Sequence, residues 1–412
     1  VYFMNKKQKS IMTAICIYTF VWLMYHITMV TKAYIGMAYP EVSETMLANL
    51  VTLPSLTCII FSFAIGPIAL NRSKTKLAIS ALFTVFLYCV IFYFNGKYHG
   101  PFWLYIVACC LAGYGQGCYV PLLNGIINDH FPLEQIGDRI ANYNVAINIG
   151  AVILLQCGGM IAAKNGGVNW FNAYLLGIFV LLSIVIFYFS AKKNEFDKPS
   201  MNFYVNGEKI TMHDLPKNVI FWVVVMGLVH CLFYVTQYVF NINVSSYIIT
   251  EYKLGTATQA GTATSLVRFS LVVFTLMYPL IRKLFKDWMI PAGYLCVGIG
   301  LIVMMFSKSL IGAYACAIII GLATSLAHST LYAKAAEFVP SHMVGVAMSI
   351  AWGIANIGSS LSAYILEFTA SFLGGTMMAQ FIVGIIFSIF ASALAILLYV
   401  KKICKKGVKI NE

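Results

Sequence analysis

Four side chains that can bind an anion or carry a proton lie inside long apolar stretches of this 412-residue sequence: Arg268, His26, His230 and His328. A guanidinium group binds a carboxylate or phosphate through two parallel hydrogen bonds. An imidazole can donate to an anion or change its charge near neutral pH. Arg268 lies about 11 residues into its stretch, roughly 16 Å along a helix. We therefore expect an anion-binding site at Arg268; the alternative is an arginine that bonds backbone carbonyls or bridges helices.

A polar stripe follows from the spacing around His230. Side chains at i, i+4, i+7 and i+11 share one face of a helix, and here they are His230, Tyr234, Gln237 and Asn241. A weaker stripe near the start of the chain comprises Trp22, Tyr25, His26 and Met29. Further polar candidates at similar depth are Gln116, Asn124, Thr264, Ser265, Thr324 and Ser325. Deep aromatics such as Trp352 fit either a cavity wall or plain core packing.

The composition decides the class of protein. Hydrophobic residues make up 60% of the chain and charged residues 10%, with a mean hydropathy of +0.84. A soluble domain carries roughly a quarter charged residues, so the soluble, disordered and nucleic-acid-binding classes are excluded. Windows of about 19 residues predict an all-α polytopic membrane protein with spans at 11–35, 47–70, 76–95, 102–127, 139–163, 170–191, 218–247, 257–284, 289–306, 309–334, 344–372 and 377–400.

The basic residues are distributed unevenly about these spans. Residues 192–217 form the longest polar linker and separate an N-terminal six-helix bundle, 1–191, from a C-terminal one, 218–412. If the N-terminus is cytoplasmic, 21 of the 27 lysines and arginines lie on cytoplasmic segments, as the positive-inside rule requires. This arrangement accounts for most of the net charge of +13. We expect both termini in the cytoplasm, and a basic tail able to contact anionic lipid.

Several residues recur at a constant offset of 208 positions. The pairs are Pro132 and Pro340, Gly137 and Gly345, Asn148 and Asn356, and Gly150 and Gly358. The repetition indicates two duplicated six-span halves. Because Asn148 and Gly150 recur in both halves, we interpret them as structural, with close helix packing at glycine and an amide hydrogen bond nearby.

On these features the sequence resembles the major facilitator superfamily over essentially its whole length. The loop at residues 66–76 matches the family's basic loop motif at Gly66 and Lys74 and in its general basic character, while Leu70 and Ser73 stand where the motif has an aspartate and a second glycine. The resemblance implies two pseudo-symmetric six-helix bundles, with substrate bound near the midplane. It implies gating or structural roles for Gly66, Arg72, Lys74, Asn148, Gly150, Asn356 and Gly358. The candidate substrate-binding residues are Arg268, His26, His230, Tyr25, Tyr234, Gln237, Gln116, His328 and Trp352.

Two functional hypotheses follow. The leading one is a secondary transporter of a small organic anion of carboxylate type, which works by alternating access with the anion held at Arg268. The alternative is a multidrug or hydrophobic-compound exporter. A lipophilic cation would want a buried acidic residue, and all fourteen acidic residues lie in predicted loops or near span ends.

Other classes are disfavoured by the motifs. An enzyme is not expected, since the loop histidines have no nucleophile beside them and the eleven cysteines lack metal-type spacing. No phosphate-binding loop of the P-loop type occurs. We expect no metal or cofactor, a monomer in the plasma (inner) membrane, and a small-molecule substrate and membrane lipid as partners.

Overall fold

In the computed structural model, which describes residues 4–198, 216–336, 344–403 and 406, every regular element is helical. The α-helices of these residues are α1 (Lys6–Phe20), α2 (Ile27–Ala38), α3 (Glu44–Asn71), α4 (Lys74–Lys97), α5 (Trp103–His130), α6 (Leu133–Ala162), α7 (Gly177–Asn194), α8 (Lys217–Ser246), α9 (Ala257–Leu276), α10 (Tyr278–Phe285), α11 (Met289–Ser307), α12 (Leu310–Ala336), α13 (Val344–Ser371) and α14 (Met377–Ala395). The 3₁₀ turns are Trp22–His26, Lys164–Gly167, Trp170–Leu176 and Lys286–Trp288, and the π turns are Tyr247–Glu251 and Ile396–Val400.

Ten helical segments of the described residues are long and apolar enough to cross a membrane. The two other predicted spans, 257–284 and 344–372, correspond to α9 and α13. The eighth span is interrupted after α9, because Pro279 lies in the first turn of α10 and has no backbone N–H to continue the helix. The predicted fold class, an all-α polytopic membrane protein with twelve spans, is confirmed.

Side-chain caps define where several helices begin. Asn5 and Gln8 form a reciprocal capping box at α1. The hydroxyls of Ser43, Ser73 and Thr376 accept from backbone N–H groups in the first turns of α3, α4 and α14. Each cap satisfies a donor that the helix itself leaves unpaired. These polar residues therefore end the connecting loops at defined positions.

The chain divides into two compact units. The first comprises Val1–Asn206 with Ser245–Ser265, and the second comprises Gly207–Val244 with Leu266–Glu412. In the first unit, α5 packs against α3 and α4, and α1 packs against α6 and α7. In the second unit, α11 packs against α12 and α14. The last two residues of α8 and the first part of α9 thus belong to the first unit, whereas the rest of both helices belongs to the second.

The segment Ser245–Ser265 is bonded to the first unit at several points. Ser245 Oγ donates to the carbonyl of Val30 at 2.9 Å. Further along, Ser265 Oγ donates to the carbonyl of Val152 at 2.9 Å. Between them, a Cβ atom on Gly159 of α6 would lie 2.4 Å from the Ala257 carbonyl oxygen. The backbones of α6 and α9 therefore cross at a distance that only glycine allows.

The first membrane segment is broken near its middle. Between α1 and α2, residues Trp22–His26 form a 3₁₀ turn, and Leu23 has a non-helical ψ of 22°. A 3₁₀ stretch inside a long helix often marks a hinge or functional site. Here it sets the orientation of Tyr25 and His26, both of which are buried.

The repeated glycines lie where helices approach closely within each unit. A Cβ on Gly150 would lie 1.8 Å from the carbonyl oxygen of Phe20, immediately before the break in the first span. A Cβ on Gly358 would lie 2.1 Å from the carbonyl oxygen of Cys231 in α8. The repeated element therefore packs α6 on α1 and α13 on α8 through backbone contact.

Candidate functional site

Two histidines and a tyrosine meet inside the second unit. His230 of α8 is fully buried, and its Nδ1 shares a hydrogen bond of 2.8 Å with the Tyr294 hydroxyl of α11. The ring of His328, on α12, lies 5.0 Å from that of His230, centroid to centroid. Three helices thus bring two imidazoles and a phenol together, although the three residues are 34 to 98 positions apart in the sequence.

Aromatic rings hold these imidazoles in place. Phe233 stacks on His230 and on Tyr294 at 5.1 and 5.0 Å. Tyr234 lies 5.5 Å from both His230 and His328. Packing on several sides restricts ring rotation, so the N–H and O–H groups keep a fixed direction. We call these five residues, His230, Phe233, Tyr234, Tyr294 and His328, the His–Tyr cluster.

Arg268 lies within electrostatic range of this cluster. It projects from α9, is only partly exposed, and interacts electrostatically with His328. The guanidinium and the imidazole supply several N–H donors within a largely apolar region. Electrostatic interactions with a bound anion are stronger there than in water. Arg268, His230, Tyr234 and His328 are thus near one another in the second unit.

Gln237 adds an amide to the same face of α8, two turns beyond His230. Its Nε2 donates to Thr324 Oγ1 at 3.0 Å. Its Oε1 is buried and has no hydrogen-bond partner in the described part of the chain. A buried acceptor that lacks a donor is energetically unfavourable. Gln237 is therefore suited to accept a hydrogen bond from a ligand.

The other predicted aromatic of this half, Trp352, lies on α13, and its side chain is outside the described residues. Asn356 follows one turn later, where its carbonyl accepts from Ser359 and Ser360 at 2.8 and 2.7 Å. Asn148, its counterpart on α6, donates to the Asn144 carbonyl at 2.9 Å. Each asparagine lies two residues before the glycine of the helix contact described above.

Tyr25, His26 and Gln116 lie in the first unit. The rings of Tyr25 and His26 meet edge to face at 4.5 Å, and the Tyr25 carbonyl accepts from the Tyr88 hydroxyl at 3.0 Å. Gln116 lies on α5, and its Oε1 is buried without a hydrogen-bond partner among the residues that the structure describes. The first unit therefore holds its own set of polar groups, two of them in the broken span.

A buried hydroxyl network lies behind the break, and its members were not predicted. Thr28 bonds the hydroxyls of Tyr88 and Tyr174, the latter at 3.0 Å. Thr31 bonds Tyr174 at 2.9 Å. No spacing rule links these positions, because they lie on separate helices and each residue type is common in apolar spans.

A buried lysine was also missed. Lys32 is fully buried in α2 and pairs with Glu44 at the start of α3. Nearby, the Tyr39 hydroxyl donates to the Gly100 carbonyl at 2.8 Å, and burial raises the pKa of this phenol. A sequence-based depth estimate from span ends cannot show which side of a helix such a lysine occupies.

The basic loop is held by an ion pair and a hydrogen bond. Gly66 lies inside α3 rather than in a loop, Arg72 caps the end of α3 and is exposed, and Lys74 begins α4. Lys74 Nζ lies 2.5 Å from Asp129 Oδ2 at the end of α5. The loop is further bonded through Ser73, whose hydroxyl donates to Asp197 at 2.6 Å. The loop therefore has a charge interlock although the motif's aspartate is replaced by leucine.

In residues 4–198, 216–336, 344–403 and 406, no group of three or more histidine, cysteine or acidic side chains is arranged to hold a metal ion.

Comparison with known proteins agrees with this architecture. The model of the Major Facilitator Superfamily matches residues 11–363. The fold is similar to a bacterial homolog of the human lysosomal transporter Spinster in an inward-facing and unoccupied conformation, with TM-score 0.77, 13% identity and 100% coverage of both chains. It is also similar to a mutant of the peptide transporter POT, with TM-score 0.76, 13% identity and coverage of 97% of this chain and 95% of that one. No curated protein matches the sequence. The chain belongs to the Major Facilitator Superfamily.

Proposed function

We propose that this membrane transporter is a secondary transporter of a small organic anion of carboxylate type, that it works by alternating access, and that Arg268 holds the anion. The observation that carries the proposal is the electrostatic interaction of Arg268 with His328, whose ring contacts the other rings of the His–Tyr cluster. A guanidinium, an imidazole and a phenol are all hydrogen-bond donors. A carboxylate can accept from two or three of them at once.

The surroundings favour an anion over a lipophilic cation. The rings that contact His328 are those of His230, Phe233 and Tyr234, and every acidic residue of the sequence lies near a predicted span end or in a predicted loop. A buried cationic ligand would need an anionic partner. A carboxylate, in contrast, finds a fixed cation and oriented N–H groups, which is the donor set that an anion requires.

Gln237 suggests what else the substrate carries. Its bonded partner Thr324 lies four residues before His328 on α12, or about 6 Å along the helix axis. The buried Oε1 of Gln237 can accept from a hydroxyl or amino group of the ligand. The substrate that fits is a small carboxylate bearing a hydrogen-bond donor about one helical turn away from the acid group.

The domain plan and orientation are part of the proposal. The bundles are 1–191 and 218–412 with a cytoplasmic linker at 192–217, and both termini are in the cytoplasm. The distribution of 21 of 27 basic residues supports this orientation. The protein acts as a monomer in the plasma membrane.

The test is counterflow in proteoliposomes with a panel of labelled hydroxy, amino and simple carboxylates, together with neutral lipophilic compounds. Arg268→Ala should raise the half-saturation concentration of the transported carboxylate about 10- to 100-fold, as expected for a lost charge-assisted hydrogen bond. Arg268→Lys should recover part of the lost affinity, because lysine keeps the positive charge but cannot make the two parallel hydrogen bonds of a guanidinium. Arg282→Ala, at an exposed arginine, is the matched control.

Two results would overturn the proposal. One is an Arg268→Ala protein that transports the carboxylate with unchanged half-saturation. The other is transport of neutral lipophilic compounds with no carboxylate accepted, which would instead support the exporter hypothesis.

A further inference from the structure

An apolar groove of about 390 Å³ runs along the second unit between α8 and the end of α14. Aliphatic side chains line it, among them Val225, Leu228, Val229, Leu232, Leu397 and Leu398. Val229 and Leu398 are buried at its base, whereas Leu228 is 54% and Leu397 42% exposed. The groove is therefore open along its length. In a membrane, an open apolar surface of this kind is in contact with acyl chains.

The dimensions of the groove fit part of a single acyl chain. Its α8 wall runs from Val225 to Leu232, about 11 Å along the helix axis. Its other wall is the π turn Ile396–Val400, which follows directly from α14. A π turn holds more residues per turn than an α-helix, and such turns are frequent at functional sites. Its side chains, including Leu397 and Leu398, form the second wall.

Cations surround one end of the groove. Lys401 and Lys402 follow the π turn directly and are exposed. The 3₁₀ turn Lys286–Trp288 packs against the same π turn. Its Asp287 pairs with Lys334 at 2.5 Å and lies 3.5 Å from Lys402 Nζ. The Asp287 carboxylate thus interacts with two lysines. The exposed Lys286 and Lys401 add two further positive charges at this end of the groove.

A tryptophan marks the depth of this end. Trp288, in the same 3₁₀ turn, is 51% exposed. Exposed tryptophan is typical of the headgroup level of a bilayer. The basic end of the groove therefore lies at the level of lipid phosphates, and the aliphatic part extends towards the bilayer interior.

We propose that this groove binds an anionic phospholipid, with one acyl chain between α8 and the π turn and the phosphate at Lys286 and Lys401. The aliphatic lining selects a chain, and the excess of lysine over acid selects a negatively charged headgroup over a zwitterionic one. Basic sites between membrane helices are suited to such headgroups. The site lies in the second unit and involves neither Arg268 nor the His–Tyr cluster, so it is independent of the transport proposal.

The experiment uses the full chain purified in a neutral detergent, with bound lipid counted by native mass spectrometry. Phosphatidylglycerol and phosphatidylcholine with identical chains are the two probes. The wild-type protein should retain phosphatidylglycerol about tenfold or more tightly, since each basic residue near the surface contributes roughly a factor of five. The double variant Lys286→Gln/Lys401→Gln should reduce this preference to about twofold or less. Lys192→Gln/Lys193→Gln, exposed at the end of α7, is the matched control.

A second variant tests the groove itself. Leu228→Trp fills it from an exposed position and should weaken binding of both lipids, whereas Phe189→Trp, on an exposed face of α7, should not. The proposal is wrong if the wild type binds the two lipids equally or if the lysine variant keeps its preference. It is also wrong if glycerol phosphate without acyl chains competes fully, or if a dimer that Leu228→Trp abolishes occupies the groove instead.

Discussion

Lys74 Nζ lies 2.5 Å from Asp129 Oδ2 and joins the start of α4 to the end of α5. The second unit has a counterpart with the charges exchanged: Asp287, beside the start of α11, lies 2.5 Å from Lys334 near the end of α12. The two pairs lie close to corresponding positions of the 208-residue repeat. In each half an ion pair therefore joins the basic loop to the neighbouring helix end. The lysine lies at the loop in the first half and at the helix end in the second.

Reversing one charge of the first interlock should destabilise the protein. Lys74→Asp places two carboxylates together at partly buried positions, and we expect a loss of about 1–3 kcal/mol, between the values for exposed and buried pairs. The exchange Lys74→Asp/Asp129→Lys should recover most of it. Thermal unfolding in detergent measures both. Lys198→Gln, at an exposed pair with Glu195, is the control, and a double variant no more stable than Lys74→Asp would contradict the pairing.

The repeated glycines should be sensitive to a single methyl group. Gly150→Ala and Gly358→Ala place a Cβ within about 2 Å of a carbonyl oxygen, and we expect each to lower stability by about 1–3 kcal/mol through overpacking. Gly125→Ala is the control, because its Cβ would meet only the Lys74 side chain at 3.4 Å. Unchanged melting temperatures in Gly150→Ala and Gly358→Ala would show that these helix crossings relax easily.

The sequence predicts the spans well because the membrane imposes length and apolarity on every helix. It also identifies Gly150 and Gly358 by repetition alone. The stripe of His230, Tyr234 and Gln237 is a property of one helix, so its common face could be predicted from spacing.

What the sequence does not predict are contacts between helices. Nothing in the order of residues pairs His230 with Tyr294, or Thr28 with Tyr174, because the packing of separate helices decides which polar groups meet. The break at Trp22–His26 contains no proline or glycine from which it could be predicted. Lys32 lies near the end of the predicted span 11–35, and only the position of α3 shows that it is buried and paired with Glu44.

Removing one partner of the Lys32–Glu44 pair should lower the free energy of unfolding more than replacing both partners. Glu44→Gln removes the carboxylate that bonds a fully buried ammonium, and we expect a loss of about 1–3 kcal/mol, reduced from the value for a fully buried pair because Glu44 is half exposed. Lys32→Met/Glu44→Gln should be more stable than Glu44→Gln, since methionine needs no counter-charge. Chemical unfolding in detergent checks the order of the two variants, and the reverse order would contradict the role of Glu44.

The hydrogen bond between His230 and Tyr294 should appear as a coupling in a double-mutant cycle. Tyr294→Phe removes the phenol that shares the 2.8 Å bond with Nδ1, and His230→Phe removes the imidazole; each should lower stability by about 1–3 kcal/mol. The double variant should lose less than the sum, with a coupling of about 0.5 kcal/mol or more. Pairing Tyr294→Phe with Tyr88→Phe of the first unit is the control and should be additive. Additivity of the His230 and Tyr294 substitutions as well would mean that the two groups do not bond in the folded protein.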